Sequence, residues 1–152
     1  MKVTKKDTIY VVTQLILFAV YIFIKLPKID FQIPLWLQVL GALSATAGVV
    51  MVVLSFIALN KSLSPFPSPK EKATLITNGI YSTVRHPIYS GILWMALGYG
   101  LYTEDTLRLL VFVALLILFI NKAKYEEQLL MKKFPDYIFY KFRTFGFLPA
   151  FE

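Results

Sequence analysis

The stretch LLVFVALLILFI, residues 109–120, carries no polar side chain. Wound into a helix it is apolar on every face, whereas a helix of a soluble bundle needs a polar face recurring every 3.6 residues. Such a helix is solvated by lipid or by other helices. Three further apolar runs, 9–24, 35–59 and 88–102, join the run 107–120, and each is bounded by charge or proline. A helix crossing about 30 Å of hydrocarbon needs about 20 residues, so the second run spans comfortably and the other three need flanking Tyr, Thr, Asn and snorkelling Lys. The expected fold is all-α: a polytopic integral membrane protein of four transmembrane helices with an amphipathic C-terminal helical tail.

Composition agrees with that class. The 152 residues are 57% hydrophobic and only 16% charged, and cysteine is absent, which removes disulfides and thiolate chemistry. The formal charge of +7 sits in lysines at the ends of apolar runs, not interleaved with aromatics on one polar face, so a membrane explains it better than nucleic acid. The opening MKVTKKDTIYVV resembles a signal peptide in its positive flank, yet no small-residue cleavage site follows Ile24, and a retained anchor is expected.

Loop charges orient the bundle. Lys2, Lys5 and Lys6 precede the first run, Lys61, Lys70, Lys72 and Arg85 lie between the second and third, and Lys122, Lys124, Lys132, Lys133, Lys141 and Arg143 follow the fourth. The opposite loops hold Lys25, Lys28 and Asp30, and Glu104 with Asp105. The positive-inside rule then puts both termini and the middle loop in the cytoplasm. One domain is expected, divided into two N-terminal spans (1–60), a cytoplasmic connector (61–87), a helical hairpin (88–121) and a C-terminal tail (122–152). Gly41, Ser44, Ala45 and Gly48 form a small-residue stripe for close helix packing. Prolines 65, 67 and 69 exclude a helix in the connector, which reads as a bare linker ahead of the alternative, part of a site's lid. After Asn121 the chain turns amphipathic, which suits a helix leaving the bilayer and bending along its surface.

Three polar clusters can carry chemistry. Pro87 is best placed in the first turn of a helix, which puts His86, the chain's single histidine, at the N-cap beside Arg85. Free N–H groups there favour an anion such as a ligand carboxylate, although a headgroup-anchoring arginine and a capping histidine fit the same letters. Glu126 and Glu127 directly follow the last span, where an ionised pair needs a neutralising partner, and Lys122 precedes Glu126 by one turn, as in an ordinary surface ion pair. Tyr137, Tyr140 and Arg143 recur at spacings of three, presenting two phenols and a guanidinium, or else an aromatic belt with a snorkelling arginine.

Taken together, GIYSTVRHPIYSG, then span, hairpin and span, YEEQLL, and FPDYIFYKFRTFGFLP resemble the isoprenylcysteine carboxyl methyltransferase family and its wider group of small membrane methyltransferases, which includes phospholipid N-methyltransferases. The resemblance covers residues 75–149. It implies an S-adenosylmethionine site at the cytoplasmic ends of the last two spans, with Gly79, Tyr81, Arg85, His86, Pro87, Tyr89, Glu126, Glu127, Tyr137 and Tyr140 on the cofactor side. It places Arg143, Glu127 and Lys122 in catalysis, with the tail arginine nearer the acceptor, and needs no metal. The implied partners are the bilayer and a lipophilic small-molecule or prenylated acceptor, reached through a tunnel open to lipid.

Two departures stand out. Lys122 occupies a position where an arginine is common, and a lysine lacks the bidentate grip on a carboxylate. Phe134-Pro135 replaces a Phe-Gly step with one residue fewer before Tyr137, shifting the tail's register. Carboxyl O-methylation is the expected reaction. The alternatives are phospholipid or amine N-methylation, an NADPH-dependent membrane reductase with a comparable C-terminal half, and a non-enzymatic membrane scaffold.

Overall fold

The computed structural model describes residues 4–24, 32–59, 64–69 and 74–147. Lys2, Lys25, Lys28, Asp30, Lys61, Lys70, Lys72 and Pro149, used above for orientation and resemblance, lie outside those residues. Among the described residues five α-helices follow in order: α1 (Lys5–Phe23), α2 (Leu35–Leu59), α3 (Pro87–Tyr102), α4 (Thr106–Lys133) and the short α5 (Tyr137–Phe142), with a 3-10 turn at Gly79–Ser82. Among the described residues the architecture is all-helical, with one isolated parallel bridge between Val84 and Phe145.

Three helix starts have a clear local cause. Thr4 caps α1 through a capping box with Asp7, and Asp105 caps α4 by accepting from the Arg108 amide. Pro87 is the first residue of α3, where its missing N–H costs nothing. Among the described residues three helices, α1, α2 and α4, are long and apolar enough to cross a membrane. At 16 residues, α3 is shorter and rises about 24 Å.

Large apolar side chains face outward along the long helices, among them Leu15 and Ile16 on α1, Leu43 and Ile57 on α2, and Leu110 and Ile117 on α4. An aqueous protein does not expose such continuous apolar surface, so lipid is the solvent of these faces and the protein is an integral membrane protein.

The most intimate packing joins α2 to α3. A methyl group on Gly41 would stand 2.7 Å from the Gly98 carbonyl oxygen, and one on Gly91 would stand 2.8 Å from that of Gly48. The small-residue stripe on α2 thus lies directly against glycines of α3. Across from this pair, α4 contributes Leu115, Phe119 and Ala123 to the buried core with Leu93 and Ala96 of α3. α1 leans on the same core: Tyr21 Oη donates to Ala96 O at 2.7 Å, and the Tyr10 ring stacks on Tyr125 at 5.7 Å.

Two elements differ from the sequence expectation. α4 runs unbroken from Thr106 to Lys133, so the boundary at 121/122 falls inside one rigid helix and the turn comes only at 134–136. Residues 64–69, expected to be a linker, instead pack onto the bundle: Ser68 Oγ donates to buried Asp7 Oδ2 at 2.7 Å. Proline excludes helix there without excluding packing, and extended backbone with small side chains lies readily across helix ends.

Candidate active site

Gly79, at φ 60°, opens the 3-10 turn with a backbone conformation that other residues adopt at a cost. The turn buries Tyr81 and sends residues 83–86 alongside the C-terminal tail. There Arg85 N donates to Phe145 O at 2.8 Å, His86 N to Gly146 O at 3.1 Å, and Phe145 N back to Thr83 O at 2.9 Å. The tail is thereby held beside the entrance of α3.

His86 is the N-cap residue of α3, but its side chain makes no capping hydrogen bond. The imidazole stacks between Tyr89 at 5.4 Å and Phe147 at 5.6 Å, and Nε2 lies 3.2 Å from Glu127 Oε1. The first polar cluster of the sequence and the second therefore meet at one end of the bundle.

The two glutamates occupy different surroundings. Glu127 is buried and saturated: its Oε1 accepts from Arg85 Nε at 2.7 Å, and its Oε2 pairs with Lys141 Nζ at 2.7 Å. Arg85 spends its Nη1 on the tail, donating to Lys141 O at 2.8 Å and to Thr144 O. This cluster joins α3, α4 and α5 through charged hydrogen bonds. Glu126 is more open. Tyr89 Oη donates to its Oε2 at 2.8 Å, while Oε1 has no hydrogen-bond partner among the described residues.

Glu126 lines two adjoining cavities. The first, about 120 Å³, is walled by Phe66, Pro67, Tyr81, His86, Tyr137 and Tyr140. The second, about 360 Å³, adds Gln14, Phe18, Phe56, Tyr89 and Lys122. A third, about 600 Å³ and almost wholly apolar, shares Phe18 and Ile92 with the second and runs between α1, α2 and α3. Residues 64–69 roof the first cavity, so the connector belongs to the site.

Tyr137 is buried at the base of the tail, and burial pushes its phenol well above the ordinary value. Tyr140 Oη donates to Tyr81 O at 2.7 Å, and burial raises that phenol to about 12, which keeps it a donor at neutral pH.

Lys122 makes no ion pair with Glu126 among the described residues. Its side chain, in the wall of the second cavity that Glu126 also lines, donates to Gln14 Oε1 at 2.7 Å and to Pro65 O at 3.1 Å. Arg143, expected on the acceptor side, is the C-cap of α5 and is exposed, and it borders none of these three cavities. A spacing of three continues one face only while the helix lasts, and α5 ends at Phe142.

Gln14, Ser68 and the Pro65 carbonyl escaped the sequence reading. Gln14 had a signal, since a lone amide in an apolar span needs a partner.

Comparison with known proteins gives this geometry a lineage. The family model described as Phospholipid methyltransferase matches residues 36–137, which include the 3-10 turn, α3 and both glutamates. The chain belongs to the phospholipid methyltransferase family.

Within it, 107 residues are 32% identical to the Protein-S-isoprenylcysteine O-methyltransferase of Saccharomyces cerevisiae, covering 68% of this chain and 45% of that protein. Over 83 residues the chain is also 32% identical to the nickel-cobalt-cadmium resistance protein NccN of Alcaligenes xylosoxydans xylosoxydans, covering 54% of this chain and 39% of NccN. The same identity and length relate it to the cobalt-zinc-cadmium resistance protein CzcN of Cupriavidus metallidurans, of which 38% is covered. The match thus spans less than half of each relative. Among the described residues no three His, Cys, Asp or Glu side chains stand together as metal ligands would. The family-matched window leaves out α1, and with it Gln14.

Proposed function

We propose that this protein is an S-adenosylmethionine-dependent membrane methyltransferase that methylates the carboxylate of a lipophilic acceptor of the isoprenylcysteine type. The observation that carries the proposal is Glu126, a carboxylate with one oxygen unengaged among the described residues, set beside His86 where the two cavities join.

The donor set fits the cofactor. A free carboxylate oxygen suits ribose hydroxyls or an amino group, the N-terminus of α3 suits a carboxylate, and the rings of Tyr81, Tyr137 and Phe66 suit a purine. When bound, the cofactor supplies an electrophilic methyl group on a sulfonium. Glu126, His86 and Tyr89 then hold its polar parts, while Glu127 and Arg85 fix the walls. The roof at 64–69 covers the first cavity and the third cavity is almost wholly apolar, so alignment in a pocket poor in water is the chain's main contribution to rate.

An acceptor carboxylate is nucleophilic without deprotonation and needs a cation to orient it. Lys122 fills that role better than Arg143, because it lines the second cavity and Arg143 does not. The third cavity supplies a path for the acceptor's hydrocarbon part.

Four membrane crossings follow if α3 is completed by its flanks. Among the described residues, Lys5, Lys6, Arg85, Lys124, Lys132, Lys133, Lys141 and Arg143 lie toward the site's end of the bundle, against Glu104, Asp105 and Arg108 at the other. The positive-inside rule then sets the site and both termini in the cytoplasm.

Purified protein in lipid nanodiscs, supplied with methyl-labelled S-adenosylmethionine, tests the reading. Label is expected in a prenylated thiol acid. Label in phosphatidylethanolamine alone would move the acceptor to an amine, and absence of both label and S-adenosylhomocysteine binding would defeat the enzymatic reading.

A further inference from the structure

Helix α1 has no assigned part in the chemistry, yet it sends one polar side chain into the wall of the second cavity. Gln14 stands in the apolar run of α1, and its Oε1 accepts from Lys122 Nζ at 2.7 Å. The Pro65 carbonyl accepts a second hydrogen bond at 3.1 Å, and the ammonium sits 5.3 Å from the centre of the Tyr89 ring. Lys122 is only 1% exposed.

An ammonium has three N–H donors, and among the described residues two of them have hydrogen-bond partners. Nor does any described carboxylate lie within the 4.0 Å of an ion pair. A desolvated cation whose direct partners are neutral oxygens, with one donor in reserve at a cavity wall and the Glu126 and Asp7 carboxylates acting only from beyond ion-pair reach, is suited to an arriving anion. The same wall also holds Arg85, His86 and Glu126, and its apolar members Phe18 and Ile92 continue it into the 600 Å³ groove. A fixed cation at the head of an apolar passage matches an amphipathic acid.

Lysine is a poor fixed point on its own, since its four-carbon stem rotates freely. Gln14 and the Pro65 carbonyl remove that freedom from two sides. We infer that Gln14 is a positioning residue: it aims Lys122 at the anionic group of the acceptor, so that α1 sets the preference for a carboxylate over a neutral group. The inference rests on the methyltransferase reading for calling this cavity the acceptor's.

The test uses the full chain in phosphatidylcholine nanodiscs, with dodecanoate and dodecanol as probes displacing a fluorescent fatty acid, each corrected for empty discs. S-adenosylhomocysteine affinity is measured in parallel. Wild type should prefer dodecanoate by on the order of tenfold, the discrimination expected of one charge-assisted hydrogen bond. Gln14→Leu should cut that preference to about threefold or less, and Gln14→Glu, which neutralises the ammonium while keeping the shape, should abolish it. Both should bind S-adenosylhomocysteine within about twofold of wild type, which a merely unfolded variant would not. Equal affinity of the two probes in wild type, or a full preference retained in Gln14→Glu, overturns the assignment. A carboxylate preference that responds to Gln14 in a protein with no S-adenosylhomocysteine affinity supports the positioning role while defeating the methyltransferase reading.

Discussion

Arg85 Nε meets Glu127 Oε1 at 2.7 Å, with side chains only 4% and 8% exposed, and the same guanidinium donates from Nη1 to the carbonyls of Lys141 and Thr144. The arginine of the Arg-His-Pro motif therefore acts as a clamp between the last long helix and the tail. Removing one partner of a buried ion pair costs about 3–5 kcal/mol, most of it from the charge left behind. In Arg85→Leu, Glu127 keeps His86 and Lys141 but two tail carbonyls lose their donor. Trypsin should then cut at Lys141 and Arg143 at least tenfold faster than in wild type. Arg85→Lys should recover only part of the protection, because an ammonium cannot fork. Unchanged cleavage in Arg85→Leu would show that the backbone bridge at Val84 and Phe145 suffices alone.

Glu126 and Glu127 are adjacent in sequence and opposite in role. Glu126→Gln keeps shape while removing the charge that faces the cavities, and a hydrogen bond to a charged group contributes about 1.5–3 kcal/mol. Calorimetry should find S-adenosylhomocysteine bound on the order of tenfold or more weakly in Glu126→Gln. Tyr89→Phe, which removes the 2.8 Å bond to Oε2, should cost about fivefold. If Glu126→Gln binds as wild type does and Glu127→Gln does not, the two roles are exchanged.

Much of this site can be read from the letters, and the reasons differ by residue. Pro87 announces the start of α3 because its ring fixes φ, and the acidic pair after an apolar run announces a need for partners. Which glutamate faces the cavity is not readable, since adjacent residues on a helix differ by about 100° and only packing decides which one points inward. The roof is hidden for another reason. Three prolines say what residues 64–69 cannot form and say nothing of where they lie, while the bond from Ser68 to Asp7 joins residues far apart in sequence. Arg143 shows the opposite limit, in which a regular spacing runs past the end of a six-residue helix.

Arg143 supplies its own test. As an exposed C-cap that borders none of the three site cavities, it should tolerate Arg143→Ala with less than about a twofold change in acceptor KM, as surface substitutions away from packed features usually do. A KM rise beyond tenfold with unchanged cofactor affinity would return the arginine to the acceptor side.

Alkaline pH probes the Tyr140 bond. Burial raises its phenol to about 12 from an ordinary value near 10, so the docked tail holds the proton more tightly than the free tail does. Docking stability from this group is then constant below about pH 10 and falls as pH rises from 10 toward 12. Protease resistance of the tail should be flat from pH 7 to 9 and decline above 10, and the decline should be shallower in Tyr140→Phe. A loss of resistance beginning near pH 8 would contradict a buried, donating phenol.

The α2–α3 contact is the part of the fold with least tolerance. A Cβ on Gly91 would stand 2.7 Å from Val52 Cγ2 and 2.8 Å from the Gly48 carbonyl oxygen, and one on Gly41 would stand 2.7 Å from Gly98 O. Backbone oxygens cannot yield as side-chain tips can, so any side chain there separates the helices. Because His86 and Pro87 head α3, a displaced α3 carries the imidazole away from Glu127. Overpacking a tight interface costs about 1–3 kcal/mol. Gly91→Val should therefore lower the melting temperature in detergent and weaken S-adenosylhomocysteine binding together, whereas Val52→Ala in the same background should relieve part of both. Lowered stability with full cofactor affinity would mean that the head of α3 is held by the tail alone.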